Sequence, residues 1–247
     1  STMEKYRLIV APTSLAMAEF LSGLIIRGLN KLSSRSYFNI AVSGGTTPAG
    51  IFRYLSDAND GAINWKNVRL FWVDERCVPP DDQESNYRMV KQSLIENISM
   101  PGENIFRIQG EAEPAAEADR YGTLLSEELP LLNNIPRFDL VLLGLGTDGH
   151  TASIFPHNIS LFSSAANCAV STHPASGQKR ITITGRVINN AADVVFIVRG
   201  QEKADIVRVL ISGDDYSEYP ASLVNPVNGD LTWLTDIEAA SLIKGYA

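Results

Sequence analysis

Strand-like runs of apolar residues alternate with helix-like stretches along almost the whole chain. YRLIV, NIAV, VRLFWV, DLVLL and VVFIV are the clearest runs, and stretches such as EKADIVRVLI lie between them. Runs that are continuously apolar are typical of strands buried on both faces of a parallel sheet. No internal repeat, low-complexity tract or flexible linker divides the 247 residues. The pattern predicts one α/β domain over residues 1–247, with a mostly parallel sheet covered by helices on both faces.

Two residues predict where the first two helices begin. Ser14 opens the helix-like stretch SLAMAEFLSGLIIRGLNKL, where a serine hydroxyl can cap exposed backbone N–H groups. Pro48 suits the first turn of the helix after NIAVSGG, because the N–H groups of that turn need no partner within the helix. We expect Ser14 to be the N-cap of the first helix and the second helix to begin near Pro48.

The charge balance limits the ligands that the chain can attract. Its formal net charge is −7, which disfavours a broad nucleic-acid-binding surface. A local cluster of Lys and Arg would have to hold any anionic ligand, because the overall field does not attract it. We expect no nucleic-acid partner.

Cysteine usage and hydropathy indicate a cytoplasmic protein. Cys77 and Cys168 are the only cysteines, too few for a disulfide framework and suited to a reducing compartment. The first 20 residues lack the cationic and apolar segments of a signal peptide, and Ser1 and Thr2 ahead of Met3 look like residues left by cloning. No apolar stretch is long enough to span a bilayer, so no membrane association is predicted.

Three polar or glycine-rich segments follow directly after predicted strands: SGGTTP, DERCVPP and GLGTDGHTASIFP. Ligands of open α/β sheets bind beyond the carboxyl ends of the strands. We therefore expect all three segments to border one ligand site.

The segment SGGTTP can form an anion site. Gly44 and Gly45 allow backbone N–H groups to point into a cavity, Thr46 adds a hydroxyl, and the helix that follows adds its positive end. An ordinary strand-to-helix turn explains the same residues equally well. The segment is not a Walker A loop, because no Gly-Lys-Ser/Thr follows.

The segment DERCVPP offers one candidate phosphate ligand. Charge triplets such as Asp74-Glu75-Arg76 are most often solvated surface, but beside SGGTTP the Arg76 guanidinium could hold a phosphate. A nucleophilic role for Cys77 is disfavoured, since nothing in the sequence indicates a depressed thiol pKa.

The segment GLGTDGHTASIFP contains the glycine spacing of a dinucleotide-binding loop, but its surroundings argue against that function. A dinucleotide loop opens a helix and is followed by an acidic residue about 20 positions later. Here Pro156 would break such a helix, and the next strand-like run, CAVSTH, has no Asp or Glu. Asp148, His150, Thr151 and Ser153 instead indicate a loop that faces a ligand.

His150 is the strongest candidate for a general base. The chain has three histidines, and His150 alone follows a flexible glycine turn at a strand's carboxyl end. We expect His157 and His173 to be surface or structural residues. Lys203 and Arg180 could join Arg76 in a positive cluster, although solvated charges are the commoner case. No spacing typical of a metal site and no Gly-x-Ser-x-Gly elbow occurs.

These motifs, taken together, resemble 6-phosphogluconolactonases over nearly the whole chain. AVSGGTTP, FWVDERCVPPDDQESNYRMV, DLVLLGLGTDGHTASIFP, KRITIT, GQEKA and YPASLV occur in the family's order. The resemblance implies a Rossmann-like three-layer α/β/α fold with a mostly parallel sheet, shared with glucosamine-6-phosphate deaminases and ribose-5-phosphate isomerases. The deaminases are similar in the glycine loop and Asp-Gly-His, but continue with Ile-Ala-Phe-Asn-Glu-Pro and use that Glu in ring opening. Thr151 to Pro156 contain no such Glu, which favours the lactonase.

The resemblance implies hydrolysis of 6-phospho-D-glucono-1,5-lactone to 6-phospho-D-gluconate, in the oxidative pentose phosphate pathway, without a metal or organic cofactor. His150 would activate water, with either Asp74 or Asp148 orienting its ring. Backbone N–H groups near Gly44 and Gly45 would stabilise the oxyanion. The phosphate would be held by Arg76 and Lys203, with Thr46 and Arg180 assisting. The expected partner is the sugar-phosphate lactone, and the expected assembly is a monomer or weak homo-oligomer.

Two alternatives use the same architecture. One is a sugar-phosphate isomerase or deaminase. The other is the sugar-phosphate sensing module of a transcriptional regulator, which would need a helix-turn-helix and a basic face. One departure from the lactonase pattern lies before Arg180, where the family often has prolines and this chain has HPASGQK. That departure predicts a more mobile loop from Ser171 to Lys179.

Overall fold

The computed structural model describes residues 5–34, 36–57, 61–213 and 217–245; Ser1 and Thr2 lie outside them. Within these residues the chain forms strands and helices in alternation. The strands are β1 Arg7–Val10, β2 Phe38–Val42, β3 Val68–Trp72, β4 Asp74–Arg76, β5 Ile105–Phe106, β6 Leu131–Leu132, β7 Ile135–Pro136, β8 Leu140–Leu143, β9 Cys168–Thr172, β10 Lys179–Ile183, β11 Asp193–Val198 and β12 Asp230–Thr235. The helices are α1 Ser14–Asn30, α2 Thr46–Asp57, α3 Asn86–Ser93, α4 Pro114–Glu128, α5 Gly185–Ile188 and α6 Ala204–Ile211. Short 3₁₀ turns include Pro156–Ser163, Gln201–Lys203 and Pro220–Leu223.

Seven strands form a parallel sheet in the order β1-β12-β11-β8-β2-β3-β5, flanked by helices. Val42 at the end of β2 pairs with Trp72 at the end of β3, and Val198 ends beside Thr235 in the same way. Because the strands are parallel, their carboxyl ends share one edge. The predicted α/β fold with a mostly parallel sheet is confirmed.

Burial explains why the central strands are continuously apolar. Every residue of β2, β3 and β8 is buried. Leu21 of α1 and Phe52 of α2 border a small apolar cavity together with Ile40 and Leu140 of the sheet. A strand covered on both faces cannot tolerate the polar alternation of a half-exposed strand.

A second, antiparallel sheet of three strands in the order β4-β10-β9 extends the molecule. The main sheet passes into it at Val73, whose N–H donates to Val42 and whose carbonyl accepts from Ile183 (both 2.9 Å). The motif KRITIT forms β10 in this antiparallel sheet and does not join the parallel sheet that the alternation of strands and helices predicts. It does so because β10 pairs with β4, about a hundred residues earlier in the chain.

The first helix is capped one residue earlier than the sequence predicts. Thr13 has extended backbone angles, and its hydroxyl accepts from the N–H of Ala16 at 3.0 Å. Ser14 is instead the first helical residue, and its hydroxyl accepts from Arg199 at 2.7 Å. The prediction of Ser14 as N-cap is therefore wrong. The second helix begins at Thr46, which places Pro48 in its first turn as expected.

None of the helices in the described ranges is both long and apolar enough to cross a membrane.

Candidate active site

The three predicted ligand segments lie at the same edge of the main sheet. SGGTTP follows β2, DERCVPP follows β3 and GLGTDGHTASIFP follows β8, and these strands are neighbours in the order β8-β2-β3. Lys203 follows β11, the neighbour of β8 on the other side. Strand order therefore brings together segments that are up to about 160 residues apart in the chain.

The glycine loop after β8 forms a tight turn that presents His150. Gly146 N–H donates to the carbonyl of His150 at 2.9 Å, and Gly149 N–H donates to Gly146 at 3.0 Å. A Cβ on Gly146 would lie 2.1 Å from Nδ1 of His150. Gly149 has a φ of 82°, and a Cβ there would meet the Tyr219 ring at 2.4 Å. Both positions therefore require glycine for steric reasons.

The His150 ring is oriented by Asp148. Nδ1 of His150 lies 2.6 Å from Oδ1 of Asp148, and the same oxygen accepts from the His150 backbone N–H at 3.0 Å. Burial raises the pKa of Asp148, but these hydrogen bonds lower it by more, so the pKa lies below its usual value. An ionised Asp148 accepts a hydrogen bond from Nδ1–H of His150. In a neutral His150 this leaves Nε2 without a proton, so Nε2 is the basic nitrogen. The ring is 29% exposed, so water can reach it.

The residues after His150 fix the loop from inside. Thr151 donates to the carbonyl of Gly144 at 2.8 Å, and Phe155, 1% exposed, lies under the His150 ring with centroids 4.6 Å apart. Ser153 is fully buried and donates to Oδ2 of Asp74 at 2.6 Å. The residues from Thr151 to Phe155 therefore support the imidazole. The hydroxyls of Thr151 and Ser153 donate to protein groups and not to a ligand.

Asp74 is buried and bonded to the β8 loop. Its carboxylate accepts from Ser153, and its carbonyl accepts from the Asn86 side chain at 3.0 Å. Of the two carboxylates proposed to orient His150, Asp148 makes the contact with the ring, while Asp74 holds the loop that carries it. Asn86 also packs directly against Gly44.

Glu75 is a structural residue that the sequence did not single out. Its buried carboxylate accepts from the backbone N–H of Arg76, Asn86 and Tyr87 and from the Ser85 hydroxyl, at 2.7–3.0 Å. Burial raises its pKa despite these donors. Glu75 thus fastens the start of α3 to β4. A charged triplet gives no sequence signal for which of its members points inward.

Two of the predicted phosphate ligands lie directly opposite each other. Arg76 on β4 and Arg180 on β10 are paired in the antiparallel ladder. Burial and then the charge of Arg76 lower the pKa of Arg180. The Arg180 guanidinium lies over the Phe155 ring, 5.6 Å from its centroid, which places it beside the loop that carries His150. Arg76 donates to the carbonyl of Glu84 at 2.8 Å.

Lys203 lies on the β11 side of the loop, and Gly44, Gly45 and Thr46 lie on its β2 side. Lys203 donates from Nζ to the carbonyl of Leu145 at 2.5 Å, one position before Gly146. Gly44 and Gly45 form the turn between β2 and α2, and Thr46 is the first residue of that helix. Gly45 has a left-handed φ of 114°. Positive side chains and the amino end of α2 therefore border the loop from both sides.

His157 and His173 also pack on Phe155. Their ring centroids lie 5.9 Å and 5.3 Å from that of Phe155. His157 bonds through Nε2 to the carbonyl of Thr172 at 2.9 Å. All three histidines of the chain therefore surround one phenylalanine, an arrangement that their spacing in the sequence does not show.

The described ranges contain no group of three or more His, Cys, Asp or Glu side chains arranged to hold a metal ion. Cys77 and Cys168 are both free thiols, and burial raises the pKa of each. These surroundings disfavour a thiolate nucleophile at Cys77.

Known proteins resemble this chain over most of its length. A family model described as "Glucosamine-6-phosphate isomerases/6-phosphogluconolactonase" matches residues 12–233. A 6-phosphogluconolactonase of Treponema pallidum is 40% identical over 191 residues, which cover 77% of this chain and 79% of that protein. One of Haemophilus influenzae is 40% identical over 207 residues, covering 83% and 87%. The solved structure of 6-phosphogluconolactonase from Trypanosoma brucei matches with a TM-score of 0.85 and 27% identity, covering 97% of this chain and 99% of that one. The chain therefore belongs to the glucosamine-6-phosphate isomerase/6-phosphogluconolactonase family, within its 6-phosphogluconolactonase branch.

Proposed function

We propose that the protein hydrolyses 6-phospho-D-glucono-1,5-lactone by direct attack of water, with His150 as the general base. The observation that carries this proposal is the 2.6 Å contact between Nδ1 of His150 and Asp148, which leaves Nε2 free to take a proton. Nε2 accepts a proton as the water oxygen attacks the lactone carbonyl. The ring C–O bond then breaks, and the imidazolium returns this proton to the leaving ring oxygen, which gives the open-chain acid and regenerates neutral His150. A positioned general base contributes about 10²–10⁴-fold to such a step.

Asp148 acts as the positioning carboxylate in this mechanism. Its negative charge stabilises the imidazolium that forms as the water is deprotonated, and its hydrogen bond fixes which nitrogen carries the proton. Asp74 supports the same step indirectly, because it holds Ser153 and with it the loop between His150 and Phe155.

The developing oxyanion requires donors at the same edge of the sheet. The turn at Gly44 and Gly45 precedes a 12-residue helix that begins at Thr46, so its N–H groups lie at the positive end of that helix. We assign the oxyanion to these N–H groups.

The phosphate of the substrate is assigned to the positive side chains. Arg76 and Arg180 form one adjacent pair, Lys203 lies beside Leu145, and the Thr46 hydroxyl adds a neutral donor. An acidic protein needs such a local cluster for an anionic substrate. Binding energy from the phosphate, remote from the reacting carbonyl, can position that carbonyl against His150.

The cytoplasmic location and the monomeric or weakly associated state remain part of this proposal. Two free cysteines without a disulfide agree with a reducing compartment. No organic cofactor or metal has a step in the mechanism.

The experiment that tests the function measures two products in parallel. Freshly generated 6-phosphogluconolactone is added to the protein and proton release is followed, while glucosamine-6-phosphate is added separately and ammonia is measured. Proton release well above the spontaneous rate, without ammonia, supports the lactonase. Ammonia without faster lactone opening would assign the protein to the deaminases. Tight sugar-phosphate binding with neither product would indicate a sensing module.

A further inference from the structure

His173 lies in the loop between β9 and β10, at the rim of the site. Its ring packs edge-on against Phe155, on which His150 and the Arg180 guanidinium also pack. Phe155 is buried, and each of these three groups contacts its ring. His173 therefore shares its neighbours with the proposed general base and with a proposed phosphate ligand.

The loop itself selects one tautomer of His173. Nδ1 accepts from the backbone N–H groups of Ala175 and Ser176, at 3.1 and 3.2 Å. A nitrogen that accepts two N–H groups carries no proton, so a neutral ring must carry its proton on Nε2. His173 is then a hydrogen-bond donor that points away from its own loop.

The charges around His173 favour the neutral form. Burial lowers its pKa, and the positive charges of Arg180, His150 and Arg76 lower it further, while Asp148 acts in the opposite direction. Among the residues that the structure describes, no group accepts a hydrogen bond from Nε2–H of His173. The donor is thus available to a ligand.

A neutral donor is suited to this position. Arg76 and Arg180 are directly opposite each other on paired strands, and like charges in such pairs repel. A third cation would increase that repulsion in the empty site. An imidazole N–H supplies a further hydrogen bond to phosphate oxygen without adding charge.

We infer that His173 is a substrate-binding residue, which donates from Nε2–H to the phosphate group held by Arg76 and Arg180. The identity of the phosphate as that of a sugar lactone rests on the proposed function, but the contact itself requires only a phosphate group. The loop sequence HPASGQ thus contributes to the site through the imidazole of its first residue.

Two substitutions distinguish loss of the Nε2–H donor of His173 from loss of the Nδ1 acceptor that fixes its loop. His173→Asn keeps an acceptor for the N–H of Ala175, as asparagine does in turns, but loses the distal donor. His173→Gln places an amide NH₂ near the position of Nε2 but loses the acceptor. His157→Gln is the matched control, because it replaces a ring on the same phenylalanine while keeping a donor toward the Thr172 carbonyl.

The dissociation constants of inorganic phosphate and of 6-phosphogluconate are measured by calorimetry at pH 8 for all four proteins. We expect His173→Asn to weaken binding of both about tenfold, as for loss of a hydrogen bond to a charged group. His173→Gln and His157→Gln should stay within about threefold of the unsubstituted protein. The inference would be overturned if His173→Asn bound both ligands as tightly as the unsubstituted protein. Equal losses of affinity in His173→Asn and His173→Gln would also overturn it, because they would indicate a role in the loop alone.

Turnover distinguishes this inference from the proposed function. In lactone hydrolysis, His173→Asn should raise KM about tenfold with kcat nearly unchanged, and should leave hydrolysis of unphosphorylated glucono-1,5-lactone unaffected. Equal losses with both lactones would overturn the assignment to phosphate. A protein that binds phosphate through His173 but opens no lactone would refute the proposed function and leave this inference standing.

Discussion

The hydroxyl of Ser153 donates to Oδ2 of Asp74 at 2.6 Å, and this hydrogen bond joins the loop after β8 to the strand that continues β3. Both side chains are buried. Ser153 belongs to the loop that carries His150, so the position of the proposed base depends on a buried contact between protein groups.

Ser153→Ala should therefore lower both stability and turnover. Removing the hydroxyl leaves a buried carboxylate without this donor, which costs about 1–3 kcal/mol. We expect a lower denaturation midpoint and a kcat reduced about tenfold or more, measured by urea unfolding and lactone hydrolysis. Ser56→Ala is the control, because the Ser56 hydroxyl is exposed on α2 and donates to the local carbonyl of Arg53. Unchanged kcat in Ser153→Ala would contradict the positioning role of this bond.

Gly146→Ala should displace the imidazole. The added methyl would lie 2.1 Å from Nδ1 of His150 and close to Asp148, so the ring must move away from its orienting carboxylate. We expect kcat to fall about 10²-fold, since a small misplacement of a catalytic group has effects of that size. Gly144→Ala is a matched control in the same loop, because a Cβ there meets no atom within 4 Å. Equal kcat values for the two variants would contradict the account of this turn.

Arg76→Gln should weaken substrate binding without slowing the chemical step. Its charge is proposed to hold the phosphate, so KM for the phosphorylated lactone should rise about tenfold or more while kcat changes little. Arg53→Gln on the exposed face of α2 controls for the change in net charge. If Arg76→Gln slowed hydrolysis of unphosphorylated gluconolactone to the same extent, Arg76 would not be a phosphate ligand.

Asp193 gives the stability of the fold a dependence on pH. Burial and then the charge of Asp230, which faces it on the neighbouring strand, raise the pKa of Asp193 to about 6. Because the pKa is raised in the folded state, the folded protein binds the proton more tightly than the unfolded chain. Its stability therefore decreases as pH rises from about 4 to 6.

Asp193→Asn should remove this decrease in stability with rising pH. The free energy of unfolding of the variant should exceed that of the unsubstituted protein by about 1 kcal/mol at pH 8, allowing for solvent screening of a partly exposed group, and the gain should shrink toward pH 4. Chemical denaturation at several pH values measures it. Asp205→Asn, on the exposed side of α6, should show no comparable pH-dependent gain. A gain independent of pH would contradict the assignment to Asp193 ionisation.

The sequence predicted the parts of the fold that depend on local pattern. Continuous apolar runs such as VRLFW identified strands buried on both faces, and the glycine turn before His150 identified a loop at a strand end. The three polar or glycine-rich segments could be placed at one edge of the main sheet, because the carboxyl ends of parallel strands lie on the same side. Their motifs also indicated the family, which the comparisons confirm.

The parts that were missed depend on contacts between distant residues. β4 has only three residues and pairs with β10 about a hundred positions later, so no periodicity reveals it. The inward direction of Glu75 follows from the donors at the start of α3. Ser14, the expected N-cap, instead accepts from the distant Arg199, and Thr13 caps the helix. The contact of the His173 ring with Phe155 likewise follows from the fold, which brings the two residues together.

The most direct measurement of the central claim is single-turnover proton release from 6-phosphogluconolactone by the unsubstituted protein and by His150→Ala. We expect His150→Ala to lower the rate of lactone opening about 10²–10⁴-fold, because the general base is lost. Its calorimetric affinity for 6-phosphogluconate should remain within a few-fold, because the phosphate ligands are intact. A His150→Ala protein that opens the lactone at nearly the unsubstituted rate would contradict the account.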